Sequence, residues 1–270
     1  MKKTLCIMLV ILTVLAAFAG CEKKETADGD WKYVKDKGEL VVGITYFAPM
    51  NYYNENNELV GFETEFAKAV CEKLGVSAKF VEIDWDSKET ELNAKNIDCI
   101  WNGMTINDER KTNMEISSAY MRNKQVLVAA ADKAEELKTA EGVKGKLIVA
   151  ELGSAGEELA KEDDFFKDVN FTAVDTQAKT LMEVKSGTAD AAIIDYVMSI
   201  GSIGEGTDYS DLVVVPNEGF APEEYGIAFR KGSNVAAKVN EAMQTLANEG
   251  KLKEIAAKYK LEELLLIQPK

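Results

Sequence analysis

Short apolar runs alternate along this chain with segments in which apolar residues return every three or four positions. The apolar runs predict strands at residues 40–44, 79–83, 98–101, 126–131, 147–150, 171–174, 191–194, 212–215 and 226–229. Between most of them lie helical patterns, and the clearest one spaces four apolar residues by four and stops at a glycine: Phe62, Phe66, Val70, Leu74 and then Gly75. This alternation favours an α/β protein with mainly parallel sheets, whose ligands bind at the carboxyl ends of strands.

A six-residue motif occurs twice and bears on the number of lobes. Residues 38–43 read GELVVG and residues 145–150 read GKLIVA, and each copy opens a predicted strand. The echo predicts two similar α/β lobes, although two short apolar strands can also resemble each other by chance. No stretch rich in proline or serine separates the halves, so we expect the lobes to be joined by strands that cross between them.

The composition narrows the possible chemistry. With 270 residues, 46% of them hydrophobic and 29% charged, the chain suits one large or two modest compact domains. It contains no histidine, which excludes Ser-His-Asp and Cys-His catalysis and histidine-containing zinc sites. A formal charge of −14 argues against a nucleic-acid partner. The cysteines show no metal-ligand spacing, and we expect neither a metal nor a cofactor.

The first residues are typical of a secretory signal peptide. Lys2 and Lys3 precede a short apolar stretch and small residues that end at Gly20, which predicts a signal peptide over 1–20. Cys21 follows directly and resembles the lipidated cysteine of bacterial lipoproteins, with residues 21–29 as a lipidated N-terminus and linker. An ordinary signal peptide with an incidental cysteine is the alternative. Either way the mature chain is exported, and lipidation would anchor it to a membrane on the extracytoplasmic side.

Two further cysteines, Cys71 and Cys99, lie in the part predicted to fold. An exported protein can form a disulfide between them. We favour two buried free thiols, since Cys71 falls on the apolar face of a predicted helix and Cys99 in a short predicted strand.

The most informative stretch is residues 96–120, NIDCIWNGMTINDERKTNMEISSAY. A predicted strand ends just before Asn102 and Gly103, and Thr105 and Arg110 follow on a loop that enters a short helix. Gly103 allows the main chain to approach a ligand closely, and Thr105 offers a hydroxyl. The guanidinium of Arg110, one of three arginines in the chain, can clamp a carboxylate through two parallel hydrogen bonds.

Several segments, in this order along nearly the whole mature chain, resemble the extracellular solute-binding proteins of polar amino-acid ABC transporters. They read GELVVGITYFAP, GFETEF, GMTINDER, ADAAIIDYVMS and YGIAFRKGSNVAAKVNEAMQTLANEGKLKEIAAKY. The resemblance implies the type II periplasmic-binding-protein fold, an α/β architecture of two Rossmann-like lobes joined by two crossover segments. We place lobe 1 at residues 30–121 plus 222–270 and lobe 2 at 122–221, with crossings near residues 122–125 and 217–222.

The same resemblance implies how a free amino acid is held. Arg110 is expected to pair with the α-carboxylate, assisted by Thr105 and the backbone N–H of Ser154. Asp195 is expected to receive the α-ammonium together with the carbonyl of Gly103. The physical logic stands without the family, because a zwitterion needs one cationic and one anionic clamp, each paired when the cleft shuts.

Each of these residues has a simpler interpretation. Arg110 could be a surface residue paired with a neighbouring acid, Asp195 could cap the helix that begins at residue 196, and Ser154 could be only a cap. Phe47 and Phe62 match positions whose rings sandwich the ligand side chain, yet both could be core aromatics.

Further positions complete the expected site or depart from the family pattern. Asn102 belongs to the ligand-binding turn, beside Gly103. The loop at residues 45–47 has no acid, which makes lysine or arginine a less expected ligand. Trp85 and Trp101 flank the cleft, and we interpret them as packing residues.

The resemblance also implies the partners of a monomeric receptor. These are a free L-amino acid, the permease subunits of an ABC importer and, through the lipid anchor, a membrane. One rival is an enzyme, since some relatives of this scaffold are dehydratases that act on prephenate-like acids. Another is a sensor domain for the same ligand, against which the lack of a spanning segment after residue 20 argues.

Overall fold

The computed structural model describes residues 28–217 and 219–270. The predicted signal peptide and Cys21 lie outside these residues. The strands are β1 (Glu39–Ile44), β2 (Tyr52–Tyr53), β3 (Leu59–Val60), β4 (Ser77–Glu82), β5 (Cys99–Ile100), β6 (Met114–Ile116), β7 (Met121–Ala130), β8 (Leu147–Glu151), β9 (Asn170–Val174), β10 (Ala191–Asp195), β11 (Leu212–Val214), β12 (Pro222–Tyr225) and β13 (Ala228–Arg230). The helices are α1 (Asp28–Lys37), α2 (Phe62–Leu74), α3 (Lys88–Asn93), α4 (Asp108–Asn113), α5 (Ala140–Val143), α6 (Ala155–Glu162), α7 (Gln177–Ser186), α8 (Tyr196–Ser202), α9 (Val235–Asn248) and α10 (Lys251–Lys258).

Two mixed sheets organise the chain as two α/β lobes. The first sheet has the order β4-β1-β5-β13-β6, and the second has the order β11-β7-β10-β8-β9, with β12 also paired to β7. The expectation of mainly parallel sheets is wrong. Every pairing that involves β7 or β13 is antiparallel, because these strands follow the passages of the chain between the lobes and enter each sheet in the opposite direction.

The two sheets repeat one arrangement, and the repeated motif lies at the same place in each. β4-β1-β5 and β9-β8-β10 are parallel triplets, followed by the antiparallel β13 and β7 respectively. The motif copies open β1 and β8, the central strands of the triplets. An aspartate before the third strand accepts a backbone N–H of the central one in both, from Val41 to Asp98 at 2.8 Å and from Leu147 to Asp190 at 2.9 Å. The predicted similarity of the lobes is confirmed.

A two-stranded ribbon connects the lobes. The first part of β7 pairs antiparallel with β12, from Met121 opposite Tyr225 to Lys124 opposite Pro222. The rest of β7 continues into the second sheet, where it pairs with β10 and β11. The residue boundaries between the lobes stay a prediction.

Helix α2 forms as its pattern predicts. It ends at Gly75, whose φ of 72° is left-handed and whose N–H donates to the carbonyl of Glu72 at 3.1 Å. Phe66 and Val70 on its apolar face are fully buried. Cys71, on the same face, and Cys99 in β5 are buried free thiols, as favoured from the sequence.

The strands that sequence patterns did not predict are short. β2, β3, β6 and β12 contain two to four residues each, too few for an apolar pattern. β2 and β3 pair with each other, whereas β6 and β12 form by pairing with the distant strands β13 and β7. Among the described residues, no helix combines the length and apolar character needed to cross a membrane. The same residues contain no group of acids and cysteines that could hold a metal ion.

Candidate functional site

A narrow cleft lies between the lobes, where β5, β8 and β10 end at their carboxyl termini. Residues of both lobes line it: Trp85, Asn102, Gly103, Thr105, Arg110, Glu151, Ser154, Ala155, Gln177 and Asp195. The free volume among these side chains is about 10 Å³, roughly the room that one water molecule needs. The lobes are therefore closed on each other. Six of the predicted site residues meet in this cleft.

Arg110 lies inside the cleft and is 4% exposed. It sits in the first turns of α4, where the side chain of Asn107 caps the helix by accepting the Arg110 N–H at 2.8 Å. The guanidinium donates to the Thr105 carbonyl at 2.8 Å, which fixes its direction. The alternative of a surface arginine paired with Asp108 or Glu109 is wrong.

Contacts of Arg110 also cross to the second lobe. Its Nη2 lies 3.2 Å from a carboxylate oxygen of Glu158 and 3.4 Å from the carbonyl oxygen of Gly153. Asn107 donates to the other oxygen of Glu158 at 3.1 Å. Glu158 thus contacts one edge of the guanidinium while the lobes are closed.

Asp195 is the anionic group of the cleft, and amide side chains surround it. Its carboxylate accepts from Asn123 at 2.5 Å, from Gln125 at 2.8 Å and from Gln177. Burial raises the pKa of Asp195, and these hydrogen bonds oppose the rise. Its side chain makes no capping bond to α8, so the capping alternative is wrong. Asn123 and Gln125 belong to β7, which places the ribbon between the lobes directly against this acid.

Thr105 contacts the ribbon from the first lobe. Its hydroxyl donates to Glu223 of β12 at 2.9 Å, and the same carboxylate oxygen accepts from Asn123 and Gln125 at 3.0 Å each. Burial, with the charge of Asp195, raises the pKa of Glu223. Glu223 therefore joins the Thr105 loop to the strand that supports Asp195, a connection that the sequence analysis did not identify.

The turn after β5 is fixed by hydrogen bonds on both of its residues. The Asn102 side chain accepts from the N–H and hydroxyl of Thr45 at 3.0 and 2.7 Å, and donates to the Thr45 carbonyl at 2.9 Å. Gly103 has a left-handed φ of 56°, and its N–H donates to Glu63 at 2.8 Å. A Cβ on Gly103 would lie 3.1 Å from the Phe47 ring. Asn102 thus positions the turn, and only glycine fits its second residue without strain.

Glu63, the third residue of the GFE motif, is fully buried behind this turn. Besides Gly103, the Asn51 amide donates to it at 2.9 Å, and the hydroxyl of Tyr120 is also bonded to it. Burial raises the pKa of Glu63 to about 7, although these hydrogen bonds lower it. Glu63 is a positioning residue for Gly103 that the sequence patterns did not reveal.

Ser154 begins α6 on the second lobe. Its hydroxyl accepts the N–H of Glu157 at 3.2 Å, which is the capping bond of the simpler interpretation. Its own N–H donates to the Glu151 carbonyl at 3.2 Å. The helix N-terminus faces the cleft, and its role toward a ligand stays a prediction.

The two predicted aromatic residues do not line the closed cleft. Phe62 is fully buried and packs against Phe66 and Tyr120, with ring centroids 5.6 and 6.5 Å away. Phe47 is 4% exposed and lies beside Gly103. These contacts are those of core residues, and a sandwich around a ligand stays a prediction.

Three cleft residues were missed or underrated. Trp85 lines the cleft, whereas Trp101 is fully buried and packs edge-on against Phe66 with a centroid distance of 5.0 Å. Glu151 and Gln177, both from the second lobe, also line it. A signal for Glu151 existed, because it follows an apolar strand just as Asp195 does.

Comparison with known proteins agrees with this architecture. Residues 40–262 match the bacterial extracellular solute-binding proteins, family 3. The chain is 30% identical over 255 residues to the L-cystine-binding protein TcyJ of Escherichia coli (strain K12), covering 93% of this chain and 94% of that protein. It is 28% identical over 261 residues to the arginine-binding extracellular protein ArtP of Bacillus subtilis (strain 168), covering 96% and 98%.

A solved structure shares the two-lobed fold. It is an ABC uptake transporter substrate-binding protein from Streptococcus pneumoniae with bound histidine. The TM-score is 0.80 at 29% sequence identity, and the match covers 88% of this chain and 98% of that one.

Proposed function

The chain belongs to the bacterial extracellular solute-binding proteins of family 3, and from that premise we propose that it is an extracytoplasmic receptor that binds a free L-amino acid between its lobes and delivers it to an ABC importer. The family is one of binding proteins, not enzymes, which sets the dehydratase alternative aside. Cystine, arginine and histidine are the ligands named for the relatives above. All three carry the α-carboxylate and α-ammonium that one cationic and one anionic clamp would bind.

One observation carries this proposal: Arg110 and Asp195, each 4% exposed, bring opposite charges into the same cleft from different lobes. In the proposed complex Arg110 binds the α-carboxylate, assisted by Thr105 and the backbone of Ser154. Asp195 binds the α-ammonium together with the Gly103 carbonyl. Each charged group of the ligand then meets a buried partner, which compensates for its loss of hydration.

Ligand binding in this scheme couples to closure of the lobes. Arg110 and Thr105 lie on the first lobe and Asp195 and Ser154 on the second, so a ligand that bridges them stabilises the closed state by contacts that the open state lacks. Its carboxylate takes the place of Glu158 at the guanidinium. The closed form then docks on the permease.

Binding by the purified protein tests the proposal. The protein is unfolded and refolded to remove carried-over ligand, and its thermal unfolding is followed with each of the twenty amino acids. A ligand at 100 times its dissociation constant adds about 2.7 kcal/mol to the stability, which a melting curve resolves readily. We expect a large shift with one amino acid or a few similar ones. No shift with any of them contradicts the proposal.

Arginine variants then test the site. Arg110→Ala should abolish the shift, because truncating one partner of a buried ion pair costs about 2–5 kcal/mol. The control is Arg122→Ala, which removes the same charge from an exposed position of β7. Retained affinity in the Arg110 variant would show that the carboxylate binds elsewhere.

We also propose that Cys21 carries a lipid that anchors the receptor to a membrane on its extracytoplasmic side. The support is the small-residue sequence before Cys21 and the polar segment after it. Expression in a bacterial host with labelled palmitate should give a labelled protein in the membrane fraction. Cys21→Ser should be unlabelled, and label that persists in this variant would refute the assignment.

A further inference from the structure

Glu151 is a buried acid in the cleft with an unsatisfied oxygen. It is the last residue of β8 and is 2% exposed. Its Oε1 is buried and has no hydrogen-bond partner among the described residues. Buried polar atoms without a partner are rare in folded proteins, and each one calls for a physical explanation.

Leaving this oxygen unpaired is costly. A buried acceptor without a donor loses about 1–3 kcal/mol, and more if it is charged. The neighbouring cation does not satisfy it, because Lys88 Nζ donates to the carbonyls of Gly153 and Trp85 at 3.0 and 3.2 Å. Burial and the charge of Asp195 raise the pKa of Glu151 to about 8, although Gln177 and Lys88 act in the opposite direction. The described part of the chain therefore leaves Oε1 of Glu151 without a donor, although Gln177 is hydrogen-bonded to the carboxyl group.

The charges that line the cleft do not balance. Arg110 is the one cation among the lining residues, whereas Asp195 and Glu151 are two acids. The zwitterionic end of an amino acid would pair with Arg110 and Asp195 and leave Glu151 over. At the margin of the cleft, Lys88 adds one positive charge beside Gly153, and Glu158 and Glu223, in contact with Arg110 and Thr105, add two negative charges.

Glu151 is also suitably placed relative to Asp195. The two acids end β8 and β10, which are neighbouring parallel strands. Adjacent strands lie about 4.8 Å apart, so a ligand whose α-ammonium contacts Asp195 has Glu151 within reach of its side chain. Trp85, which lines the same cleft, supplies an aromatic surface on the opposite lobe.

We propose that Glu151 binds a second positively charged nitrogen, carried by the ligand side chain, and so selects a basic amino acid. This inference rests on the proposed function and names the substrate class of the same cleft. A guanidinium or ammonium group satisfies Oε1, balances the second acid and removes the cost of burying it alone. A neutral ligand of the same shape leaves Oε1 of Glu151 unpaired. Its affinity is therefore lower, because binding sites reject analogues that leave a buried polar group without a partner.

Two matched ligand pairs test the proposal by isothermal titration of the refolded wild-type protein. Arginine and citrulline differ mainly in the charge of the terminal group, as do lysine and norleucine. We expect the charged member of each pair to bind at least ~100-fold more tightly. A two-buffer titration at pH 7 should also detect a proton released when arginine binds, because binding ionises Glu151.

Variants assign the preference to one side chain. Glu151→Gln should reduce it to less than about fivefold while binding of the neutral members persists, because the α-group contacts remain. Glu162→Gln, the same change at an exposed position of α6, should leave the preference intact. If the Glu151 variant does not fold, the wild-type protein still tests the proposal, through its preference for the charged ligands and the proton released on binding.

The outcomes separate this inference from the proposed function. Equal affinity for the charged and neutral members would overturn the role of Glu151 and leave an amino-acid receptor standing. Tighter binding of cystine than of arginine and lysine would overturn the selection of a basic amino acid, because cystine carries a second ammonium group but no net positive charge. Failure of every amino acid to bind the wild-type protein would overturn both.

Discussion

Glu63 and Glu151 are buried glutamates on opposite lobes, and their surroundings differ sharply. Glu63 in the first lobe is bonded to the N–H of Gly103, the amide of Asn51 and the hydroxyl of Tyr120. Glu151 in the second lobe leaves Oε1 without a partner among the described residues. Burial raises the pKa of both, to about 7 and about 8.

Glu63 therefore positions the residues that form the cleft, whereas Glu151 has an oxygen that only a bound ligand would satisfy. Asn102 follows the logic of Glu63, since three hydrogen bonds join it to Thr45 at the end of β1. At the ends of β1 and β5, the first lobe therefore satisfies Thr45 and Asn102 with each other. The second lobe supplies surplus negative charge at the equivalent place, the end of β8. Four experiments test this contrast, from the largest expected effect to the smallest.

Removing the satisfied acid should be the most damaging change. Glu63→Ala strands the buried donors of Gly103, Asn51 and Tyr120, and we expect it to lower the free energy of unfolding by about 3–5 kcal/mol. Urea unfolding at pH 7 measures this. Glu72→Ala, at an exposed position of the same helix, serves as the control and should change stability by less than about 0.5 kcal/mol. If Glu63→Ala lowers the free energy of unfolding by less than about 1 kcal/mol, Glu63 does not stabilise the turn as its hydrogen bonds suggest.

Neutralising the unsatisfied acid, Glu151, should raise the free energy of unfolding, whereas removing Glu63 lowers it. Because the pKa of Glu151 is about 8 in the folded protein, the folded state holds this proton up to that pH, whereas the unfolded chain loses it near the ordinary value of 4.5. Stability therefore falls as pH rises through this window, by at most about 1.4 kcal/mol for each pH unit. We expect Glu151→Gln to raise the free energy of unfolding at pH 8 by roughly 2 kcal/mol, and by much less at pH 5. Urea unfolding at the two pH values measures this difference. If Glu151→Gln is less stable than the wild-type protein at pH 8, the contrast between Glu63 and Glu151 is wrong.

The affinity for a basic amino acid should depend on pH through the same group. The ligand cation binds ionised Glu151, so below pH 8 a proton must leave, and affinity should rise by up to about tenfold per pH unit between pH 6 and 8. Asp195 and Lys88 are the charged groups that act on Glu151, and arginine itself stays cationic over this range. Titration of arginine at several pH values measures the slope. A slope that survives unchanged in Glu151→Gln would have to come from another group.

The smallest effect concerns the contact between Arg110 and Glu158. Glu158 is 43% exposed at its side chain, so its ion pair contributes at most about 1 kcal/mol. Glu158→Gln should leave stability within about 0.5 kcal/mol. Affinity for the amino acid should rise two- to fivefold, because the ligand carboxylate no longer competes for the guanidinium. Weaker binding in this variant would mean that Glu158 assists the ligand.

The sequence was sufficient where local chemistry decides the outcome. The spacing of α2, its glycine end and the positions of β1, β8 and β10 follow from apolar patterns, because the three strands and one face of the helix are buried. Arg110 could be singled out because arginine is scarce in this chain, and Asp195 because it directly follows a predicted strand. The family resemblance supplied their expected roles, and their burial shows that neither is a surface residue.

What the sequence did not reveal depends on contacts between distant segments. β12 reads PEEY, which contains no apolar run, and it becomes a strand only by pairing with β7. The loop after β1 contains no acid that could hold a ligand side chain. The internal repeat makes the end of β8 the corresponding place in the second lobe, and Glu151 stands there. Its missing partner becomes visible only when both lobes are assembled.

The paired β7 and β12 have a mechanical consequence for the two lobes. Two strands tied by a ladder of hydrogen bonds form a flat strip, which flexes out of its own plane with less resistance than it shears within it. Sliding one lobe against the other would break the ladder, whereas flexing preserves it. The strip therefore favours flexing over sliding as the relative motion of the lobes. Because Asn123, Gln125 and Glu223 are part of it, that motion carries the supports of Asp195 and Thr105 along with it.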